Sequence, residues 1–166
     1  MISPKKILKI APKYEDENLA FRAFLKEHAD GETLDAQFLA LHNELFASRD
    51  CCKCSNCCRA FAVVLEDADI ERISRHLGQS KAEFTRQYLE RSDYDESYYR
   101  MRSQPCTFLC ADGECSINDV KPAECKGFPF TDQPDRLESL LGVISFAEVC
   151  PVVFEIVQRL KGIYLK

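Results

Sequence analysis

The sequence predicts an α+β fold, mainly helical: a small single domain with short strands or a hairpin around a cysteine-rich site, preceded by an N-terminal helical arm. Three observations predict it. Apolar residues recur at three- and four-residue spacing on both sides of a central segment, as amphipathic helices require. Short apolar runs flank Ala111-Asp112-Gly113, and an Asp-Gly pair between such runs is a hairpin signal. Five of the ten cysteines crowd into the stretch Cys51-Cys52-Lys53-Cys54-Ser55-Asn56-Cys57-Cys58.

Taken in order, residues 1–13 read as an extended leader with little order of its own. Leu19, Phe21, Phe24 and Leu25 predict a helix over 16–27, ended by the Ala29-Asp30-Gly31 turn. Leu34, Phe38, Leu41 and Leu45 recur at i, i+4, i+7 and i+11 and predict a second helix over 33–48. Together these make residues 1–49 a leader and helical arm, whose stripes pack as core or receive a protein partner. Residues 50–166 are read as the cysteine-cluster domain, one compact unit. After the cysteines, Phe61-Ala62-Val63-Val64-Leu65 suits a buried strand. Acids over 66–69 open a helix with Ile70, Ile73 and Leu77 inward and Gly78 at its end. Ser80-Lys81-Ala82-Glu83 is a capping box opening the next helix, with Phe84, Tyr88 and Leu89 inward.

Residues 91–104, polar and tyrosine-rich, read as the longest loop, its tyrosines covering core edges. The hairpin over 105–117 would bring Cys106 and Cys115 together at its open side, with Cys110 nearer the tip. Asn118 or Asp119 then caps a short helical turn that has Pro122 near its start and presents Cys125. Residues 136–148 fit helix or strand, with helix preferred. Cys150-Pro151 opens a last helix with Val153, Ile156, Val157, Leu160 and Tyr164 on one face.

The bulk composition narrows the function. A chain of 166 residues, 46% hydrophobic and 30% charged, has the profile of one ordinary globular domain able to bury roughly two thirds of its unfolded surface. Its net charge of −5 provides no basic footprint for nucleic acid. The apolar residues of the N-terminus are interrupted (Ile7-Leu8-Lys9-Ile10-Ala11), so neither a signal peptide nor a membrane span is read there, and a cytoplasmic protein is expected. In a reducing compartment clustered cysteines are metal ligands or redox groups more often than structural disulfides.

The spacing of the thiols points the same way. Neighbouring cysteines meet disulfide geometry only with strain, whereas a soft ion or cluster needs several sulfurs converging on one point, about 2.3 Å from a zinc ion. Setting Cys52 and Cys110 aside leaves Cys51, Cys54, Cys57, Cys58, Cys106, Cys115, Cys125 and Cys150 as candidate ligands, enough for two four-coordinate sites or for one cluster and a separate ion. Cys51-x-x-Cys54-x-x-Cys57 has the spacing that wraps a 4Fe–4S cluster, and Cys150-Pro151 supplies the remote Cys-Pro of such sites. The same C-x-x-C pairs serve equally as zinc knuckles, so zinc and iron–sulfur stand about even. Lys53, Arg59, Lys121 and Lys126 lie close in sequence to these thiols, and cations there favour the thiolate. Asn56 suits a left-handed backbone conformation inside the loop. His28, His42 and His76 fall on helices away from the cysteines and are left out of the ligand set.

The ordered set Cys51-x-x-Cys54-x-x-Cys57-Cys58-Arg59, Asp69-Ile70, Leu77-Gly78, Pro105-Cys106-x-Phe108-Leu109, Gly113-x-Cys115-x-Ile117, Pro122-x-x-Cys125-x-x-Phe128-Pro129 and Cys150-Pro151 resembles the YkgJ-type CxxCxxCC cysteine-cluster family over about residues 50–155. The resemblance implies a zinc- or iron-chelating domain of unassigned biochemical role. Flagellin lysine methylases carry a related cysteine motif, so an iron–sulfur redox or protein-modifying enzyme is the alternative. Cys52 and Cys110, and Asn118 and Lys121 where the family usually has Arg or Tyr, are departures from its pattern.

Overall fold

The structure, a computed structural model, describes residues 2–93 and 95–165. It is mainly helical with one small antiparallel sheet, the α+β class expected. Two compact units make it up: Met1–Asp50 together with Pro129–Lys166, and Cys51–Phe128. Among the described residues no helix is long and apolar enough to cross a membrane.

The first unit begins with a correction. Residues expected to be an extended leader form helix α1, Pro4–Ile10, followed by a 3-10 turn at Ala11–Tyr14. Pro4 occupies the first helical turn, where its missing N–H costs nothing. Ile7 and Ala11, one turn apart, are completely buried in the unit's core. A helix this short is marginal alone, and burial of that face stabilises it. Helix α2, Glu15–His28, carries three acids in its first turn and buries Phe21 and Leu25, whereas Leu19 faces outward. Helix α3, Gly31–Phe46, starts at Asp30, whose carboxylate accepts the Thr33 N–H at 2.9 Å. Its expected stripe is core: Leu34, Phe38 and Leu45 are buried and Leu41 is half-buried.

The second unit opens with two very short helices, α4 (Cys51–Cys54) and α5 (Asn56–Ala60), then strand β1 (Val64–Leu65). The run from Phe61 therefore becomes strand only at its end. Helices α6 (Asp67–His76) and α7 (Lys81–Tyr88) follow as the capping signals predict, with Gly78 at φ +68° between them. The other two strands are where none was expected. β2 (Leu89–Arg91) replaces the end of the predicted helix, and β3 (Tyr99–Met101) lies inside the predicted loop. The sheet order is β1-β3-β2, with Val64 opposite Arg100 and Glu90 opposite Arg100 on the other side. Tyr94, in the same predicted loop, lies outside the described residues. Leu65, Ile70, Ile73, Phe84, Leu89, Met101, Phe108 and Ile117 form this unit's core, with Cys106 and Cys115 packed against it. The predicted hairpin over 105–117 is reduced to turns joined by one antiparallel bridge, Leu109 to Cys115. A 3-10 turn at Asn118–Val120 leads to helix α8, Ala123–Gly127.

The chain then returns to the first unit. Asp135, left-handed at φ 60°, precedes helix α9, Arg136–Phe146. The Asp35 carboxylate secures that start by accepting the N–H groups of Asp135 and Arg136, both at 2.9 Å. Helix α10, Pro151–Tyr164, buries Val153, Ile156, Val157 and Leu160 as predicted.

Candidate metal centre

Nine of the ten cysteines belong to Cys51–Phe128; Cys150 belongs to the other unit, where it caps α10 and packs against that unit's core. Cys51 and Cys52 are exposed, and the rest are half-buried. Local backbone chemistry explains how the crowded stretch folds. After α4 the Ser55 N–H donates to the Cys51 carbonyl at 2.8 Å. Ser55 itself is left-handed, φ 44°, and turns the chain into α5; the left-handed residue is thus Ser55, not Asn56, which is already helical. The Arg59 guanidinium folds back onto this turn, donating to the carbonyls of Ser55 at 3.2 Å and Cys54 at 3.5 Å and to the Ser55 hydroxyl.

The second group of thiols is brought to the first by backbone bonds. Cys106 donates its N–H to the Cys58 carbonyl at 2.8 Å, and Cys110 donates to Glu114 at 2.8 Å across the turn. Gly113 at the tip, φ +92°, lies against α4: a Cβ there would stand 2.2 Å from the Cys52 carbonyl oxygen. Only glycine fits that backbone and that gap.

Electrostatics separate the thiols into groups. Cys58, Cys106, Cys115 and Cys125 act on one another in every pairing. Burial pushes the Cys106 and Cys115 thiols up, and burial together with the neighbouring Cys58, Cys106 and Cys115 pushes Cys125 up to about 12. Opposing this, the backbone N–H groups of Phe108 and Leu109 favour the Cys106 thiolate, and that of Ile117 favours the Cys115 thiolate. Cys57 and Cys58 form the other close contact, Sγ to Sγ 3.9 Å. The shared hydrogen bond raises Cys57 and lowers Cys58, whose thiolate is also favoured by Arg59 and Lys121. Cys51 acts on Cys57, and Cys110 on Cys115.

Thiols that repel one another when charged, with backbone N–H groups and cations favouring some of the thiolates, suit a soft cation, because a positive ion reverses the repulsion that keeps them protonated. Among the described residues no three His, Cys, Asp or Glu side chains already form a metal-holding group. The donor chemistry therefore fits zinc or iron, and binding requires the sulfurs to draw in further.

Three residues at this site escape reading from spacing alone. Asp69 is legible as an acid at a helix start, but its burial at 3% exposure and its bond to Ala123 in the Cys125 segment are not. Glu124, beside Cys125, reaches the Val64 N–H at 2.7 Å. Gly113 is legible as a turn residue, but its closeness to Cys52 is not. The histidines are engaged elsewhere: His42 contacts the Thr131 hydroxyl at 2.8 Å and His28 packs on Phe24.

No curated protein and no solved structure matches the chain. A family model does, across residues 50–151, a span that holds every cysteine of the centre and Cys150 as well. The chain belongs to the CxxCxxCC family, described as a putative zinc- or iron-chelating domain.

Proposed function

We propose that this protein chelates zinc or iron as individual ions, with Cys58, Cys106, Cys115 and Cys125 as one four-thiolate site and Cys51, Cys54 and Cys57 as a second donor group. The observation that carries this reading is that folding joins Cys106 to Cys58 by a backbone hydrogen bond and packs Cys106 and Cys115 on one core; the like-charge influence of these three thiols on Cys125 agrees with it. The ion supplies the positive charge that stabilises four thiolates together. The protein's part is to hold Cys106 and Cys115 on its core, to aim backbone N–H groups at their sulfurs, and to keep Arg59 and Lys121 near Cys58. At the quartet, four thiolates fill a tetrahedral ion and leave no position for substrate, which favours chelation or a structural role for that ion.

The test is metal content and visible absorption of protein purified without oxygen. Zinc or mononuclear iron in stoichiometric amount supports the proposal. Absence of both metals overturns it. A second reading rests on Cys51-x-x-Cys54-x-x-Cys57, folded as consecutive short helices: a 4Fe–4S cluster serving redox or protein-modifying chemistry. Iron with acid-labile sulfide and a bleachable brown colour would establish that reading in place of the first.

A further inference from the structure

We propose that Asp69 and Arg72 are positioning residues of the metal centre, holding the turn that presents Cys125; the inference rests on the reading of Cys125 as a ligand. Helix α8 is five residues long, too short to stand by its own hydrogen bonds. Besides the Glu124 carboxylate, which accepts the Val64 N–H at 2.7 Å, a charged pair on α6 holds its start. The buried Asp69 carboxylate accepts the Ala123 N–H at 3.1 Å, and the Arg72 guanidinium, bound to the same oxygen, donates onward to the Lys121 carbonyl at 3.0 Å. Both anchored backbone groups lie within four residues of Cys125. Asp69 is itself immobilised, since its other oxygen closes the capping box at the Glu66 N–H, 3.4 Å away. A carboxylate at 3% exposure is costly to bury, and here its lone pairs are taken up by the α6 cap and the Cys125 segment.

The remaining thiols of the quartet have no comparable need. Cys106 and Cys115 sit on the unit's apolar core, and Cys58 is tied to Cys106 by a backbone bond. The Asp69–Arg72 pair anchors backbone next to Cys125 and not next to Cys106 or Cys115, so loosening that pair should affect the fourth ligand selectively. Partners that orient ligands in this indirect way typically change metal affinity by about 10–100-fold when removed.

The experiment titrates zinc(II), and separately iron(II) without oxygen, into the reduced, metal-free full chain in competition with a chromophoric chelator. Asp69→Ala is expected to weaken the tighter site roughly 10–100-fold, and Asp69→Asn, which keeps an oxygen for Ala123 but no charge for Arg72, by less. Glu71→Gln, which breaks only the exposed pair with Arg75, is expected to change nothing. In the metal-free proteins, alkylation read by peptide mass spectrometry should be several-fold faster at Cys125 in the Asp69 variants and unchanged at Cys106, a selectivity that general destabilisation would not produce. Should Asp69→Ala fail to fold, the near-isosteric Asp69→Asn carries the comparison. Unchanged affinity and unchanged Cys125 alkylation in variants of a metal-binding wild type overturn this inference alone. A wild type that binds neither metal overturns the chelation reading, and this inference with it.

Discussion

The α-carbon of Gly113 lies so close to the carbonyl oxygen of Cys52 that a single added methyl group would come within 2.2 Å of it. The contact locks the turn after Cys110 onto the first turn of the cysteine motif, and it involves backbone on one side, which cannot swing away. Gly113→Ala is expected to cost about 2–4 kcal/mol from overlap and from the positive φ together. That corresponds to a melting temperature lower by roughly 5–15 °C. Gly142→Ala is the control: it lies inside α9 with nothing near the added carbon, and a gain of about 0.4–1 kcal/mol is expected. Calorimetry of the two variants checks both signs.

Removing metal should loosen one unit selectively. Metal binding to gathered thiolates contributes folding free energy, and the thiols of the quartet all lie in Cys51–Phe128. Hydrogen exchange after treatment with a strong chelator is expected to accelerate in that segment, while the amides around Leu34, Ile156 and Leu160 keep their protection. Equal acceleration in both regions would sink this expectation.

Single serine substitutions should sort the cysteines. Under the proposed grouping, Cys58→Ser, Cys106→Ser, Cys115→Ser and Cys125→Ser are expected to abolish the same equivalent of metal. Cys52→Ser is expected to retain it. Native mass spectrometry with zinc reads the stoichiometry directly.

In the helical unit, the Lys161 ammonium is 7% exposed and pairs with Glu17 at 2.7 Å, with the Tyr14 ring 5.6 Å from the charge. Glu17→Gln leaves a buried cation without its counter-charge, a loss of about 1–3 kcal/mol given that Glu17 itself is half-exposed. Adding Lys161→Met to that variant should recover most of the loss, since an apolar side chain of similar volume replaces the desolvated charge. Denaturant melts of the single and double variants measure the coupling.

The cap of α3 should make stability depend on acid pH. The Thr33 hydroxyl, and then its N–H, donate to Asp30 and hold that carboxyl below the ordinary value of 3.8. Because the folded state favours the charged form, the contribution is complete above the ordinary value and is lost as pH falls through the lowered one. The stability difference between wild type and Asp30→Asn is therefore expected to shrink between about pH 5 and pH 2. An NMR titration of the Asp30 carboxyl gives the shift itself.

Local signals made several elements legible. Ser80 and Glu83 form the capping box their spacing announces, and the stripe from Leu34 to Leu45 is core. The strands β2 and β3 were not legible, because Leu89–Arg91 continues a helical pattern and Tyr99–Met101 is polar. They pair with each other, and the other partner of β3, Val64-Leu65, is far away in sequence, where no local pattern encodes it. Helix α1 was hidden for a related reason: Ile7 and Ala11 are a helical face only once the unit's core exists to bury them. For the metal centre, the crowding of Cys51, Cys54, Cys57 and Cys58 was legible from their spacing. The tie between Cys106 and Cys58 was not, because it is a backbone hydrogen bond made only by folding.

The order in which the ribosome delivers these segments follows from the division of the chain. The helical unit is made of two separated stretches, so α1 to α3 are synthesised before α9 and α10, with the roughly eighty residues of Cys51–Phe128 made in between. At ordinary elongation rates that interval is about 4–16 s, long compared with the folding of a small domain. In that interval the whole cysteine-rich segment leaves the exit tunnel and can meet its ion. Until α9 and α10 follow, Leu34 and Phe38 lack their native partners and are open to the apolar faces of a neighbouring chain.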